Sequence, residues 1–190
     1  MERLPTSLLL VYVALVGIGA LFATLLAVYV VTRLRNGLPL GLQPFPRYFS
    51  LSTIVLLVSS YTLGQAPRLY RADDLPALVR CLGATLLLGS IFSGLQVLGW
   101  RELYHHGLLP YGTPTGTFVY LITALHVAHI VVGLGLLLAN LLRVLHAARD
   151  GVRTLVFIRN PYHRRQLQAL GIYWHFIDAL WVLLFVVFLF

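Results

Sequence analysis

Five stretches of this chain are long and apolar enough to cross a bilayer. They run over residues 7–32, 48–66, 76–99, 116–145 and 167–190. A span through the hydrocarbon core takes about 20 apolar residues. Water cannot satisfy backbone N–H and C=O groups there, so only helices and closed barrels cross it. Apolar runs of this length, without strict alternation, are helices rather than strands. The expected fold is all-α: one membrane domain, residues 1–190, built as a polytopic bundle of five transmembrane helices. The nine prolines agree, standing at positions 5, 39, 44, 46, 67, 76, 110, 114 and 161, outside the interiors of the runs. Proline removes a helix hydrogen bond, so this punctuation marks boundaries independently of hydropathy. Asp73 or Asp74 before Leu75-Pro76 has the form of a helix N-cap, and Thr113-Pro114-Thr115-Gly116 opens the fourth span in the same way.

Composition supports a membrane rather than a soluble core. The chain is 59% hydrophobic and 11% charged, where a soluble domain carries about 25% charge. Its first run is longer than a signal-peptide core, so a retained span is expected there. Cys81 is alone, which excludes an internal disulfide or a cysteine-based zinc site. The net charge of +8 comes from arginine, with no lysine. Those arginines lie mostly between the runs, which suits lipid headgroups and topology better than nucleic acid. With five spans, Arg3, Arg68, Arg71, Arg149, Arg153, Arg159, Arg164 and Arg165 share one side, with Arg143 at a helix end. Arg33, Arg35, Arg47 and Arg101 share the other. The positive-inside rule then predicts N-in and C-out. Arg143, Arg149, Arg153, Arg164 and Arg165 are candidate contacts to lipid headgroups.

Polar residues inside the spans are the candidate functional groups. Asp178 sits mid-run, where a carboxylate costs roughly 2.5–3.5 kcal/mol on insertion scales. On a helix it shares a face with Trp174, His175 and Trp181. An internally paired structural cluster is expected there, with proton relay or metal ligation as the competing reading. His126 and His129 share a face of the fourth span, and Gln96 needs a hydrogen bond in the third. The second span carries Ser50, Ser52, Thr53, Ser59, Ser60 and Thr62, hydroxyls that can bond back to their own helix. Gly19 with Ala23, Ser90 with Gly94, and Gly133, Gly135 and Ala139 are candidate close-packing strips. Trp100, Tyr104 and Tyr111 fit an interfacial belt. The segment 67–75 reads as a loop, and 146–166 as a longer loop suited to an anionic membrane surface. No phosphate loop, acidic pair, nucleophile elbow or transporter-type repeat is present.

Three motifs follow one another: Leu88-Gly89-Ser90-Ile91-Phe92-Ser93-Gly94-Leu95-Gln96, then His126-Val127-Ala128-His129 through Gly133, then Tyr173-Trp174-His175-Phe176-Ile177-Asp178 ending at Trp181. Together they resemble subunit III of the haem–copper oxidases, over roughly residues 44–190. Many bacterial members of that family have five helices, matching the count here. Two departures stand out. Many members bury a glutamate in the helix that corresponds to residues 7–32, which here contain no carboxylate. Many also place Glu-Tyr after the third-helix glutamine, where this chain has Gly99-Trp100 and then Glu102.

The resemblance implies a non-redox accessory subunit with no catalytic, cofactor-binding or metal-binding residue of its own. Haem and copper would belong to partner subunits. The chain would pack on subunit I, with subunit II and other subunits in the same complex, and a respiratory supercomplex as a wider setting. It would bind phospholipid and support proton uptake and stability of a complex that reduces O2 to water. His126, His129, His175, Asp178, Trp181 and Gln96 would form a structural polar network. The location implied is a bacterial inner membrane. A companion of a quinol oxidase or nitric oxide reductase is the nearest alternative. A haem-binding membrane anchor, using His126 or His129 with His175, and a small transporter coupled through Asp178, are alternatives of other classes.

Overall fold

The computed structural model describes residues 6–38, 45–149, 154, 157 and 159–190. Among them every regular element is helical. The elements are α1 (Thr6–Arg35), α2 (Arg47–Gly64), α3 (Ala66–Arg71), α4 (Leu75–His105), α5 (Pro114–Ala147) and α6 (Pro161–Leu189). Five helical stretches are long and apolar enough to cross a membrane, with α2 and α3 together counted as one, Arg47–Arg71.

The helices outrun the apolar windows. The third expected span ends at 99, yet α4 continues to His105; the fifth begins at 167, yet α6 starts at Pro161. Hydropathy marks where the bilayer ends, whereas a helix stops where its backbone bonding is interrupted. Such interruptions sit where the sequence places them. The Asp74 carboxylate accepts from Ala77 N at 2.9 Å, capping α4. Asp73 takes φ 59° just before it. The Thr113 hydroxyl caps α5 by accepting from Gly116 N at 3.2 Å. The expected loop at 67–75 is corrected: it contains α3. Pro67 cannot donate and clashes with the carbonyl four residues back, so α2 ends at Gly64 and α3 begins after a single intervening residue, at Ala66.

Two tryptophans of α6 fix the bundle. Trp181 packs edge-on against Phe49 of α2 at 5.7 Å and Phe92 of α4 at 5.3 Å. Trp174 lies against Gly89 of α4 and Gly133 of α5: a Cβ at Gly89 would come within 2.8 Å of the Trp174 ring and of Leu134 Cδ2. Gly99 admits the Phe49 ring in the same way. The close approach on α4 therefore runs through Gly89 and Gly99. The expected pair is corrected, since Ser90 is exposed and Gly94 meets nothing within 4 Å. An indole is broad and flat, and it needs a site where the opposing helix has no side chain.

Candidate functional site

The polar side chains of the spans converge on one helix, α2. Ser52 and Thr53 stand seven residues before Ser59 and Ser60, so both pairs lie on one face, two turns apart. Each of three hydroxyls does two things. Ser52 donates to Phe49 O at 2.9 Å and accepts from Gln96 Nε2 of α4 at 2.8 Å. Thr53 donates to Phe49 O at 2.8 Å and accepts from Trp181 Nε1 of α6 at 2.9 Å. Ser59 donates to Leu56 O at 2.8 Å and accepts from Trp174 Nε1 at 3.2 Å. Ser60 completes the row, its hydroxyl 2.7 Å from His175 Nδ1. A hydroxyl has one hydrogen and two lone pairs, so bonding back to its own helix leaves an acceptor free for a neighbour.

The candidate residues are thus placed one by one rather than on a common point. Gln96, Trp181 and His175 each bond to α2. His175 does so from an exposed position, while Asp178, Trp174 and Trp181 on the same helix are buried. His129 turns back on its own helix, with Nδ1 2.7 Å from Leu125 O. A carbonyl only accepts, so Nδ1 carries the proton there. The Tyr173 hydroxyl donates to the His129 carbonyl at 3.0 Å, tying α6 to α5. His126 is fully buried, and neither ring nitrogen has a hydrogen bond among the described residues. Its ring is enclosed by Trp181 at 5.0 Å, Phe92 at 5.8 Å and Phe22 at 6.3 Å. Phe22 also meets His129 edge-on at 5.6 Å. The α1 face that carries no carboxylate therefore presents an aromatic ring to both histidines.

Asp178 differs from its expectation. It is 3% exposed, and neither carboxylate oxygen has a hydrogen bond of acceptable geometry. The Ser60 hydroxyl is beside it, but that hydroxyl is aligned on His175. The expected pairing of Asp178 with His175 is not made. Gln96 Oε1 is likewise buried without a partner. Among the described residues no three His, Cys, Asp or Glu side chains are grouped to hold a metal ion.

The N-terminal end of α2 and the C-terminal end of α4 meet, and one group there is misassigned by the sequence alone. Trp100 is half-buried and donates to Thr123 Oγ1 at 2.9 Å, so it ties α4 to α5 instead of joining an interfacial belt. Tyr120 reinforces that joint, donating to Leu108 O at 3.0 Å. Tyr104 and Tyr111 are exposed, as a belt requires. Glu102 Oε2 lies 3.5 Å from Tyr48 N, in the first turn of α2. A carboxylate there complements the helix dipole. Of the arginines singled out, Arg143, Arg149, Arg164 and Arg165 are exposed at helix ends, and Arg153 lies outside the described residues. A cavity of about 240 Å³ between α1, α5 and α6 is lined by Val11, Leu136, Asn140, Arg143, Gln166 and Tyr173, among others.

Comparison with known proteins gives a consistent picture. Residues 20–190 match the family described as cytochrome c oxidase subunit III. The cytochrome c oxidase subunit 3 of Bacillus sp. (strain PS3) is 30% identical over 174 residues, covering 90% of this chain and 79% of the relative. The counterpart from Bacillus subtilis (strain 168) is 29% identical over 177 residues, with 90% and 79% covered. A probable quinol oxidase subunit 3 from Staphylococcus haemolyticus is 27% identical over 167 residues, with 88% and 78% covered.

Proposed function

The chain belongs to the cytochrome c oxidase subunit III family, and we propose that it acts as the non-redox accessory subunit of a haem–copper oxidase by packing on the catalytic subunit. Membership makes it an integral membrane component of an oxidase complex. Subunit I as the main contact, subunit II as a neighbour, the bacterial inner membrane as the location and the N-in/C-out orientation are parts of this reading. The observation that carries it is the dispersal of the span histidines. His175 is held by Ser60, His129 by its own helix, and His126 by three aromatic rings. A redox or transport site needs such groups aimed at one point. Here they fix helix against helix, which suits a subunit whose task is to be a rigid neighbour.

Lipid retention belongs to the same reading. The cavity between α1, α5 and α6 has apolar walls below and the Arg143 guanidinium with two amide side chains, Asn140 and Gln166, above. Gln166 Oε1 is buried there without a hydrogen bond. Apolar depth capped by a cation and amide groups fits an acyl chain and its headgroup. Support for proton uptake would be indirect, through a lipid-sealed, correctly packed contact with the catalytic subunit. Relatives named for cytochrome c oxidases and for quinol oxidases match at 27–30% identity alike. That is expected if other subunits read the electron donor.

The test is to tag the chain in its own membrane, extract it in mild detergent, and identify what accompanies it. Large haem- and copper-bearing subunits, with no haem left on this chain after dissociation, are expected. A coloured chain purifying alone would make the histidines ligands, and a colourless chain active in liposomes would make it a transporter.

A further inference from the structure

Where α3 stops and α6 starts, a cavity of about 250 Å³ is lined by Pro67, Tyr70, Arg71, Arg164, Leu167 and Gln168. It is separate from the Arg143 cleft, and it joins two cations to apolar walls. Arg71 donates its Nε–H to Pro67 O at 3.1 Å, which leaves the terminal guanidinium nitrogens for another acceptor. Among the described residues neither Arg71 nor Arg164 is joined to an aspartate or glutamate. The first turn of α6 holds no acidic residue, and Arg164 and Arg165 stand close to that end. Cations there oppose the helix dipole, so the positive potential calls for an anion from outside. The walls are pinned, because the Tyr70 hydroxyl donates to Phe157 O at 3.1 Å and holds the approach to α6 against α3.

Depth narrows the ligand. Arg71 ends one membrane-length stretch, Arg47–Arg71, and Arg164 lies near the start of another, Tyr162–Leu189. Both guanidiniums therefore sit at headgroup level. Towards the bilayer, a Cβ at Gly171 would meet nothing within 4 Å, which leaves room for a chain beside the start of α6. We infer that this cavity binds a phosphoryl anion, carried by an anionic phospholipid or present as free phosphate. Paired guanidiniums suit phosphate oxygens through charge-assisted, fork-shaped hydrogen bonding. The site is built wholly by this chain, so it stands or falls apart from the assembly proposed above.

The test uses the purified complex that contains this chain, stripped of lipid and titrated with short-chain phosphatidylglycerol under native mass spectrometry. Loss of both guanidiniums in R71Q/R164Q is expected to weaken one binding event by about 25-fold, roughly fivefold for each arginine near a membrane surface. R101Q, at the opposite end of the bundle, should leave that event unchanged. Phosphatidylcholine binding as well as phosphatidylglycerol would identify the phosphodiester as the recognised group. Displacement by millimolar inorganic phosphate would identify the free anion. If the double variant does not assemble, R71Q alone is read, with about a fivefold loss expected. Equal stoichiometry and affinity in wild type and the arginine variants would overturn the proposal.

Discussion

α1 and α2 both pack against α6, by opposite means. α1 meets it through apolar surface: Gly19 faces the Phe176 ring, and Tyr29 packs edge-on against Phe188 at 5.5 Å. Its hydroxyls, Thr24 and Thr32, bond to Ala20 O and Val28 O of their own helix. α2 meets α6 through Thr53, Ser59 and Ser60, three hydroxyls that each engage a polar side chain of α6. The residue types are the same, so the difference lies in position. Thr24 and Thr32 are eight apart, about 80° around the helix, whereas Ser52 with Ser59 and Thr53 with Ser60 are seven apart, about 20°. Thr53 and Ser60 thereby face α6 together, while Ser52 turns to Gln96 of α4.

The most severe way to break the α2 side is steric. Gly89→Val would push Trp174 off Ser59 while leaving Gly19 and Phe176 untouched. Overpacking of this kind costs about 1–3 kcal/mol or more, read as a lower melting temperature in detergent and less assembled complex. Gly94→Val, in open space, should match wild type in both measurements.

The next effect has the opposite sign. Asp178 is buried and has no hydrogen bond to a described residue. Asp178→Leu is therefore expected to raise the stability of the isolated chain, by up to about 3.5 kcal/mol on insertion scales. A fall in the melting temperature of the isolated chain would show that the carboxylate is satisfied there, by bound water for example. Read in the complex, the same variant tests whether a neighbouring subunit or bound water supplies what this chain does not.

Smaller changes sharpen the comparison. Thr53→Val and Ser59→Ala should each cost about 0.6 kcal/mol, and at most about 1.7, the range for hydrogen bonds between membrane helices. Ser52→Ala should cost more, about 1–3 kcal/mol, because it strips Gln96 of its partner in a fully buried site. A double-mutant cycle with Gln96→Leu should recover most of that loss. On α1, Leu10→Ala at a 65% exposed position is expected to stay within about 0.5 kcal/mol of wild type.

Much of this was legible in the residues. The spans follow from apolar length and the proline positions, and the caps at Asp74 and Thr113 follow from short polar side chains before an early-helix proline. The burial of Trp174, Asp178 and Trp181 follows from three- and four-residue spacing. What stayed hidden involves pairs distant in sequence. Residue type predicts that hydroxyls of α2 bond back to their own helix, as Ser52, Thr53, Ser59 and Thr62 do; their second role depends on which helix lies opposite. Glu102 and Tyr48 are 54 positions apart, and Trp100 looks the same in sequence whether it faces headgroups or Thr123. The seven-residue spacing in α2 was the one available signal for its row.

Trp174 and Trp181, which each lie against α2, α4 and α5 together, sit on α6, the most C-terminal of the described helices. A ribosome delivers helices in order, at roughly 5–20 residues per second. Ser59 precedes Trp174 by 115 residues, so at that rate roughly 6–24 seconds separate its appearance from that of the two tryptophans. During that interval the glycine seats on α4 and α5 are empty, and Thr53 and Ser59 have only their own helix to bond to. Folding of this bundle is then a closing event that waits for α6, and the interval before it is when quality control in the membrane can reach the chain.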